Sequence, residues 1–168
     1  MDIRKLSPDE HSLHRELRLR ALAEDPDSFG ETYEAVSLLS DLEWERRTAH
    51  VTDNGSGVMF IAATHDTSCG CAYGLIDAHR SGAGRVGGMW VDPLHRRSGV
   101  GSALLKAVLG WTDELGLSPI RLWAPTHEHA AKALYTRAGF QETGQMRPLP
   151  TNPDRSIVEM ELIVDIRS

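Results

Sequence analysis

The chain has 168 residues, of which 40% are hydrophobic and 25% are charged, as in an ordinary globular domain. Its net charge of −6 argues against a general affinity for nucleic acid and weakly favours cationic partners such as amines. Neither a signal peptide nor an apolar run long enough to span a membrane is evident, so we expect a single domain over residues 1–168 in the cytoplasm.

The first quarter of the chain predicts one strand and two helices. Asp2–Leu6 alternates like a short strand. Ser7–Glu10 has the composition of a capping box with proline in the first turn, which predicts a helix from there to about Ala23. A second capping box, Ser40–Glu43, predicts another helix.

The linker Ser28–Glu34 between these helices combines aromatic and acidic side chains. Phe29, Tyr33 and Glu34 could form a pocket for a cationic substrate. Alternatively, the two aromatic side chains could anchor the helix pair to a sheet. The sequence leaves both interpretations open.

A β-hairpin and the two cysteines follow. Val58–Ala63 and Ala72–Asp77 are apolar and β-prone, with a turn expected at Asp66–Ser68. Strand alternation predicts that Cys69 and Cys71 lie on the same face. We expect reduced, packed thiols, because a metal site would need two further ligands nearby.

The second half of the chain predicts alternating strands and helices. A glycine ends each predicted helix, because glycine adopts the left-handed conformation that stops one. In chain order we expect a strand over Arg85–Val91, a helix from Gly99 to Gly116, a strand over Ile120–Ala124, a helix from Pro125 and Thr126 to Gly139, a strand from Phe140, a long loop over Met146–Arg155 and a last strand over Ile157–Val164.

Apolar residues at helical spacing predict the faces of these helices that pack. The expected packing positions are Val100, Leu104, Val108, Trp111 and Leu115 in one helix and Ala130, Ala133, Leu134 and Ala138 in the next. Trp44 and Trp123 are also expected to pack, whereas Trp90 could either pack or line a substrate site.

The segment Met89–Leu105 predicts a strand, a basic glycine-rich loop and a helix. The first turn of a helix has free N–H groups and the positive end of the helix dipole. Gly99 and Gly101 let the backbone approach a pyrophosphate closely, and Arg96 and Arg97 add positive charge. The pattern therefore predicts an anion site built mainly from backbone amides.

Two common phosphate-binding motifs do not fit this loop. A P-loop would require Gly-Lys-Ser or Gly-Lys-Thr after it, and neither is present. A Rossmann fingerprint would require glycine or alanine three residues after Gly101, where the sequence has Leu104.

The pattern Arg96-x-x-Gly99-x-Gly101, after a strand that ends Trp90-Val91-Asp92-Pro93, resembles the acetyl-CoA signature of the GNAT superfamily of N-acetyltransferases. Ala131–Phe140, with Tyr135 shortly before a Gly-Phe pair, resembles a second motif of that superfamily. The resemblance in element order extends over essentially the whole chain. It implies a mixed α+β fold: a central, mostly antiparallel, twisted sheet of six to seven strands flanked by about four helices, with a V-shaped splay between the fourth and fifth strands.

The resemblance also implies roles for individual residues. The backbone of Met89, Trp90 and Val91 would bind the pantetheine arm and polarise the thioester carbonyl. Tyr135 would protonate the leaving thiolate. The pyrophosphate would be bound by Arg96, Arg97, Ser98, Gly99, Val100, Gly101 and Ser102.

One position departs from the family pattern. Seven residues before Tyr135, where the family often has asparagine, this chain has Glu128. Its histidine neighbours invite a metal or a proton relay, but a solvated helix cap fits the helix start better. The acceptor amine must lose a proton, and Glu34 and Glu128 are the candidate general bases. Glu128 joins Phe29, Tyr33 and Glu34 as a candidate substrate-binding residue.

Together these features predict transfer of an acetyl group from acetyl-CoA to a primary amine, with a small amine as the acceptor. Two alternatives remain open: a protein N-terminal or lysine acetyltransferase, and a non-catalytic acyl-CoA sensor. In either transferase, the loops Ser28–Glu34 and Met146–Arg155 would wall the acceptor site. No metal, nucleic acid or membrane partner is expected, and the resemblance allows a homodimer.

Overall fold

The computed structural model describes residues 1–52 and 55–165. The strands are β1 (Asp2–Lys5), β2 (Gly57–Thr64), β3 (Thr67–Ile76), β4 (Gly84–Val91), β5 (Ile120–Pro125), β6 (Gln141–Leu149) and β7 (Asn152–Leu162). The helices are α1 (His11–Glu24), α2 (Tyr33–Ser37), α3 (Asp41–His50), α4 (Val100–Glu114) and α5 (His129–Arg137). The strands form one sheet in the order β1-β2-β3-β4-β5-β7-β6.

Helices cover both faces of the sheet, and each face has its own core. On one face α1, α2 and α3 pack around Leu17 and Trp44, which are fully buried. On the other face α4 and α5 pack around Leu104, Val108 and Phe140. Burial of large apolar side chains in both layers stabilises the fold by about 1.5–3 kcal/mol for each side chain.

The sheet separates in the middle, between β4 and β5. All other neighbouring strands are antiparallel, whereas β4 and β5 are parallel and pair only at Gly84 with Ile120 and Arg85 with Arg121. Beyond these pairs the two strands diverge, because β5 continues along β7 instead. The predicted sheet of six to seven strands with a splay between the fourth and fifth strands is confirmed.

The helix starts differ from the sequence predictions. Residues 8–9 form a turn, and α1 begins at His11 rather than at Ser7. The Glu10 carboxylate accepts from the Ser7 N–H at 3.0 Å and from Arg4 at 2.7 Å, which stabilises that turn. The Ser40 cap of α3 is confirmed, because the Ser40 hydroxyl accepts from the Glu43 N–H at 3.2 Å.

The start of α5 and the short helix α2 also differ from expectation. Pro125 and Thr126 were expected to open α5, but Pro125 ends β5 by pairing with Ile157, and Thr126 lies in the turn after it with its N–H donating to Ser156 at 2.9 Å. Inside the predicted linker Ser28–Glu34, the Thr32 hydroxyl caps α2 at the Ala35 N–H. Within residues 1–52 and 55–165, five helices flank the sheet, close to the expected number of about four.

The predicted loop Met146–Arg155 is wrong, because this segment belongs to the β6–β7 hairpin. Leu149 pairs with Asn152, and only Pro150 and Thr151 turn the chain. The prolines suggested a loop, but Pro148 lies in β6, an edge strand, where a residue without an N–H is tolerated. Pro150 lies in the turn, and Pro153 lies in β7 where the register shifts and no residue of β6 pairs with it. The last strand consequently begins at Asn152 rather than at Ile157.

The prediction that Cys69 and Cys71 share a face is also wrong. Ala62 pairs with Gly70 and Ala63 with Ser68, so Cys69 is the extra residue of a β-bulge. The bulge reverses the alternation, and the two thiols pack in the cores on opposite faces. Both are buried and free, as expected.

The predicted packing positions of α3 and α4 are buried, whereas those of α5 are half-buried or exposed. Leu115 is 42% exposed because α4 has ended before it. On α5, Leu134 and Ala138 are half-buried against the core, and Ala130 and Ala133 are exposed. Trp90 packs in the core against α1. Over residues 1–52 and 55–165, no helix has the length and apolar composition that crossing a bilayer would require.

Candidate functional site

The divergence of β4 and β5 opens a cavity of about 500 Å³. β4 and β5 form two walls, the loop before α4 closes one end, and α5 lies along one side. Its lining includes Gly87, Gly88, Met89, Trp90, Val91, Arg96, Arg97, Gly99, Gly101, Ser102, Trp123, Glu128 and Tyr135, and Asp25, Ser28 and Phe29 from the segment after α1. We call this cavity the cleft.

The loop before α4 lines the cleft with Arg96, Arg97 and Gly99. Arg97 and Gly99 both have left-handed backbone conformations, with φ of 60° and 87°. The first bond of the α4 ladder joins the Ala103 N–H to the Gly99 carbonyl at 3.0 Å, so the N–H groups before Ala103 precede the ladder. Left-handed residues in a turn before a helix can bring successive N–H groups to one side, and backbone anion sites in proteins form in this way.

The side chains of the same loop mainly stabilise its shape. Arg96 donates to the Val91 carbonyl at 3.0 Å and to Asp25 at 2.6 Å, which joins the loop to the end of α1. The Ser98 hydroxyl donates to the His95 carbonyl, and the Val100 side chain lies in the core. Any contribution of these three residues to anion binding would therefore come chiefly from the backbone.

Beside the cleft, β4 contains a second bulge. Trp90 pairs with Cys71 and Gly87 with Tyr73, so Gly88 and Met89 together oppose one residue of β3. Gly88 has φ of 58°, and a Cβ atom there would lie 2.5 Å from the Tyr73 ring. Glycine is therefore required at this position, and the bulge interrupts the ladder at the cleft.

Tyr135 contributes a neutral phenol to the wall of the cleft. Its side chain is 6% exposed and packs edge-on against the Phe140 ring, with the ring centres 6.0 Å apart. Burial raises the pKa of the phenol above its ordinary value. At neutral pH the hydroxyl keeps its proton and could give it to a stronger base that forms within reach.

The predicted substrate-binding residues occupy two different places. Phe29 and Glu128 line the cleft, and the Ser28 hydroxyl donates to the Glu128 carboxylate at 2.9 Å. Tyr33 is 43% exposed, Glu34 is exposed in the first turn of α2, and neither lines the cleft. The hairpin turn closes this side of the site, because the Thr151 hydroxyl donates to the Phe29 carbonyl at 2.9 Å.

Trp123 lines the cleft, although the sequence suggested only packing. The Arg147 guanidinium lies over its ring, 4.1 Å from the ring centre. Strand alternation could have indicated this position, because Leu122 and Ala124 point into the core and Trp123 must therefore face away.

A second, smaller cavity of about 160 Å³ lies on the opposite face of the sheet, between α1, α3 and β3. Gly88 lines both cavities, so they adjoin at the β4 bulge. The charged residues of its lining are Arg18, Glu31 and Arg47, and His14 and His50 also line it. Nothing in the sequence singled these residues out, because they are dispersed over α1, a loop and α3.

The described part of the chain offers no centre for a metal ion. Among residues 1–52 and 55–165, no three histidine, cysteine, aspartate or glutamate side chains come together. His127 lies 3.6 Å from the Glu128 carboxylate, and that pair is not joined by a further ligand of this kind.

The fold and the cleft define a class of enzyme. Residues 17–140 match the model of the acetyltransferase (GNAT) family, so the chain belongs to that family. Family membership confirms the predicted class of the domain, a GNAT acetyltransferase domain.

Among curated proteins the chain is similar to the mycothiol acetyltransferase of Clavibacter sepedonicus, with 37% identity over 97 residues. That match covers 58% of this chain but only 30% of the relative, so the chain spans about a third of the length of the protein that it resembles.

Two solved structures share the fold over nearly the whole chain. An acetyltransferase of the GNAT family from Streptococcus pneumoniae has a TM-score of 0.81 and 19% identity, covering 97% of this chain and 99% of that one. A putative acetyltransferase from Salmonella typhimurium, solved with its cofactor acetyl-CoA, has a TM-score of 0.80 and 15% identity, covering 100% of this chain and 96% of that one.

Proposed function

We propose that this chain transfers the acetyl group of acetyl-CoA to a small primary amine, and that the cleft is its cofactor site. The observation that carries the proposal is the loop before α4. Two left-handed residues, Arg97 and Gly99, line the cleft directly before the positive end of a 15-residue helix, whose first N–H groups have no partner within the helix. A pyrophosphate is the part of acetyl-CoA that such a site suits.

The residues present fit the cofactor. The amides from Arg97 to Ser102 would hold the pyrophosphate, and the diverging edge of β4 at Met89 and Val91 would hold the pantetheine arm. When bound, acetyl-CoA supplies an activated acetyl group to the amine. Backbone N–H groups at the β4 bulge, which is free of regular pairing, are the candidate donors to the thioester carbonyl.

Two side chains have proposed roles in proton transfer. Tyr135 holds a proton on its hydroxyl at neutral pH and would give it to the departing thiolate. Of the two carboxylates considered as general bases, Glu128 lines the cleft and Glu34 does not. Glu128 would therefore accept the proton of the amine through a water molecule, and Glu34 lies outside the cleft.

The smaller cavity supports a small amine as the acceptor. It adjoins the cleft at Gly88, on the face opposite α4, and therefore offers a route to the same bulge that the cofactor would not block. Its volume of about 160 Å³ is close to that of an engineered cavity that holds benzene, at about 150 Å³. A folded protein segment would need a larger groove than this.

Thiol release from acetyl-CoA with a panel of small amines, peptides and lysine-containing proteins tests this proposal. We expect release with at least one small amine and none above background with proteins. Preference for a protein acceptor would favour the second transferase hypothesis. Tight acetyl-CoA binding without release for any acceptor would identify a sensor and contradict the proposal.

A further inference from the structure

The smaller cavity contains two arginines for one carboxylate. Arg47 donates to both oxygens of Glu31, at 3.0 and 3.1 Å, and the Arg18 Nε donates to Glu31 at 3.4 Å. Glu31 thus joins two guanidinium groups from two helices. The lining also contains His14 and the exposed side chain of His50.

The charges of this group do not cancel. Burial acts to raise the pKa of Glu31, but Arg47 and Arg18 together outweigh it and hold that pKa below its ordinary value. Glu31 therefore stays ionised, and the three side chains together carry one positive charge in excess. His14 adds no charge near neutral pH, because burial lowers its pKa to about 4. A half-buried cavity with an excess positive charge favours an anionic ligand.

Arg18 has donors left for such a ligand. Within the described residues, only its Nε has an acceptor, and the two terminal nitrogens have none. The side chain is only 17% exposed, and its guanidinium lies over the Phe29 ring, 4.6 Å from the ring centre. These contacts fix the guanidinium in one place, and a planar pair of donors matches a carboxylate in geometry.

The position of Arg18 relates this cavity to the chemistry. Phe29, on which Arg18 stacks, lines the cleft, and Gly88 lines both cavities. A ligand held at Arg18 therefore lies next to the β4 bulge. An amine attached a few bonds away from the bound acid would reach the bulge from the face opposite the cofactor loop.

We propose that the smaller cavity binds a carboxylate of the acceptor through Arg18 and Arg47, so that the acceptor is a small amino acid rather than a polyamine or another polycation. The inference rests on the proposed function and names the class of its acceptor. Glu31 orients the two arginines and does not bind the amine.

The test compares free L-amino acids of increasing size, from glycine to methionine, with their carboxamides. Thiol release gives kcat and KM, and calorimetric titration in the presence of CoA gives binding independently of turnover. We expect the acids to bind at least about tenfold more tightly than the amides, because a hydrogen-bonded charge pair typically contributes a factor of about 10–100.

Three variants make the test specific. Arg18→Gln should raise KM and Kd for the acids about 10- to 100-fold and leave the amides unchanged. Arg46→Gln, on the same helix as Arg47 but paired with Glu43 at the surface, is the matched control and should change neither. Glu31→Gln distinguishes orientation of the two arginines from direct binding of the amine. If Glu31 bound the amine, this variant would weaken the binding of acids and amides equally.

Acids that bind more tightly than amides support the inference even without turnover, whereas missing thiol release with every amine contradicts the proposed function alone. Equal binding of acids and amides, or an Arg18→Gln variant that folds and still prefers acids, overturns the inference while leaving acetyl transfer intact.

Discussion

Replacement of Gly101 by aspartate tests the anion site through charge. Gly101 lies in the first turn of α4, and a Cβ atom there would lie 3.3 Å from Leu134 and 3.8 Å from Val91, both residues of the cleft lining. An aspartate side chain would therefore point into the cleft with only a small shift of Leu134. An acidic residue in the first turn also interacts favourably with the helix dipole, so we expect Gly101→Asp to fold.

The size of the effect follows from the charge that the variant brings to the pyrophosphate. Two unit charges about 4 Å apart repel by about 1 kcal/mol in bulk water and about 4 kcal/mol near a protein surface. The cleft is partly open, so the cost lies between these limits. Since about 1.4 kcal/mol corresponds to a factor of ten, acetyl-CoA should bind about five- to several-hundredfold more weakly.

Calorimetric titration with acetyl-CoA measures this effect directly. Gly101→Asn is the matched control, because asparagine has the shape of aspartate without its charge and should lose much less affinity. Gly110→Asp adds the same charge to the same helix at a position with nothing within 4 Å, and it should bind like the original protein. A folded Gly101→Asp variant with unchanged affinity would refute the reasoning.

Three further predictions concern catalysis, packing and pH. Tyr135→Phe should lower kcat about a hundredfold or more while the Kd for CoA stays the same; equal rates would remove the proposed acid. Gly88→Ala should lower the free energy of unfolding, measured by urea denaturation, by about 1–3 kcal/mol. Gly82→Ala is the control, because Gly82 also has positive φ but no atom within 4 Å of an added Cβ, and it should cost less. Equal losses of stability in the two variants would argue against the Tyr73 contact. Because the pKa of His14 is lowered to about 4 by burial, the unfolded chain binds a proton at a higher pH than the folded one. Stability should therefore fall by up to about 3 kcal/mol as the pH decreases from about 6.5 to 4, and a His14→Gln variant should lack that decline; an NMR titration of His14 near 6.5 would contradict this.

Elements that depend only on neighbouring residues in the sequence were predictable. The strand, the loop and the helix around Gly99 follow from periodicity and from the conformational freedom of glycine. The helix end at Gly139, where φ is 104°, follows from the same freedom. These elements form the proposed cofactor site and contain the motifs that resemble the family, which is why the enzyme class could be predicted.

Features that depend on distant pairing were not predictable. Whether Pro148 lies in a loop or in an edge strand depends on its partner Ser156 and on the absence of a further strand beyond β6 within the described sheet. The bulge at Cys69 depends likewise on how β2 pairs with β3. One inserted residue changes the face of every residue that follows it.

The smaller cavity, where we propose that the acceptor binds, depends even more on tertiary structure. Arg18, Glu31 and Arg47 come from two helices and a loop, and each resembles a solvent-exposed charge when considered alone. Their contacts exist only because α1 and α3 pack on the same face of the sheet. Conversely, the sequence suggested Tyr33 and Glu34 as substrate-binding residues, but both lie on α2 and line neither cavity.

A crystal structure of the chain with bound CoA tests the central claim most directly. We predict pyrophosphate oxygens within about 2.7–3.2 Å of backbone nitrogens in the segment from Arg97 to Ser102, with the pantetheine arm between β4 and β5. CoA bound with its pyrophosphate away from that segment, or with those N–H groups directed elsewhere, would contradict the account.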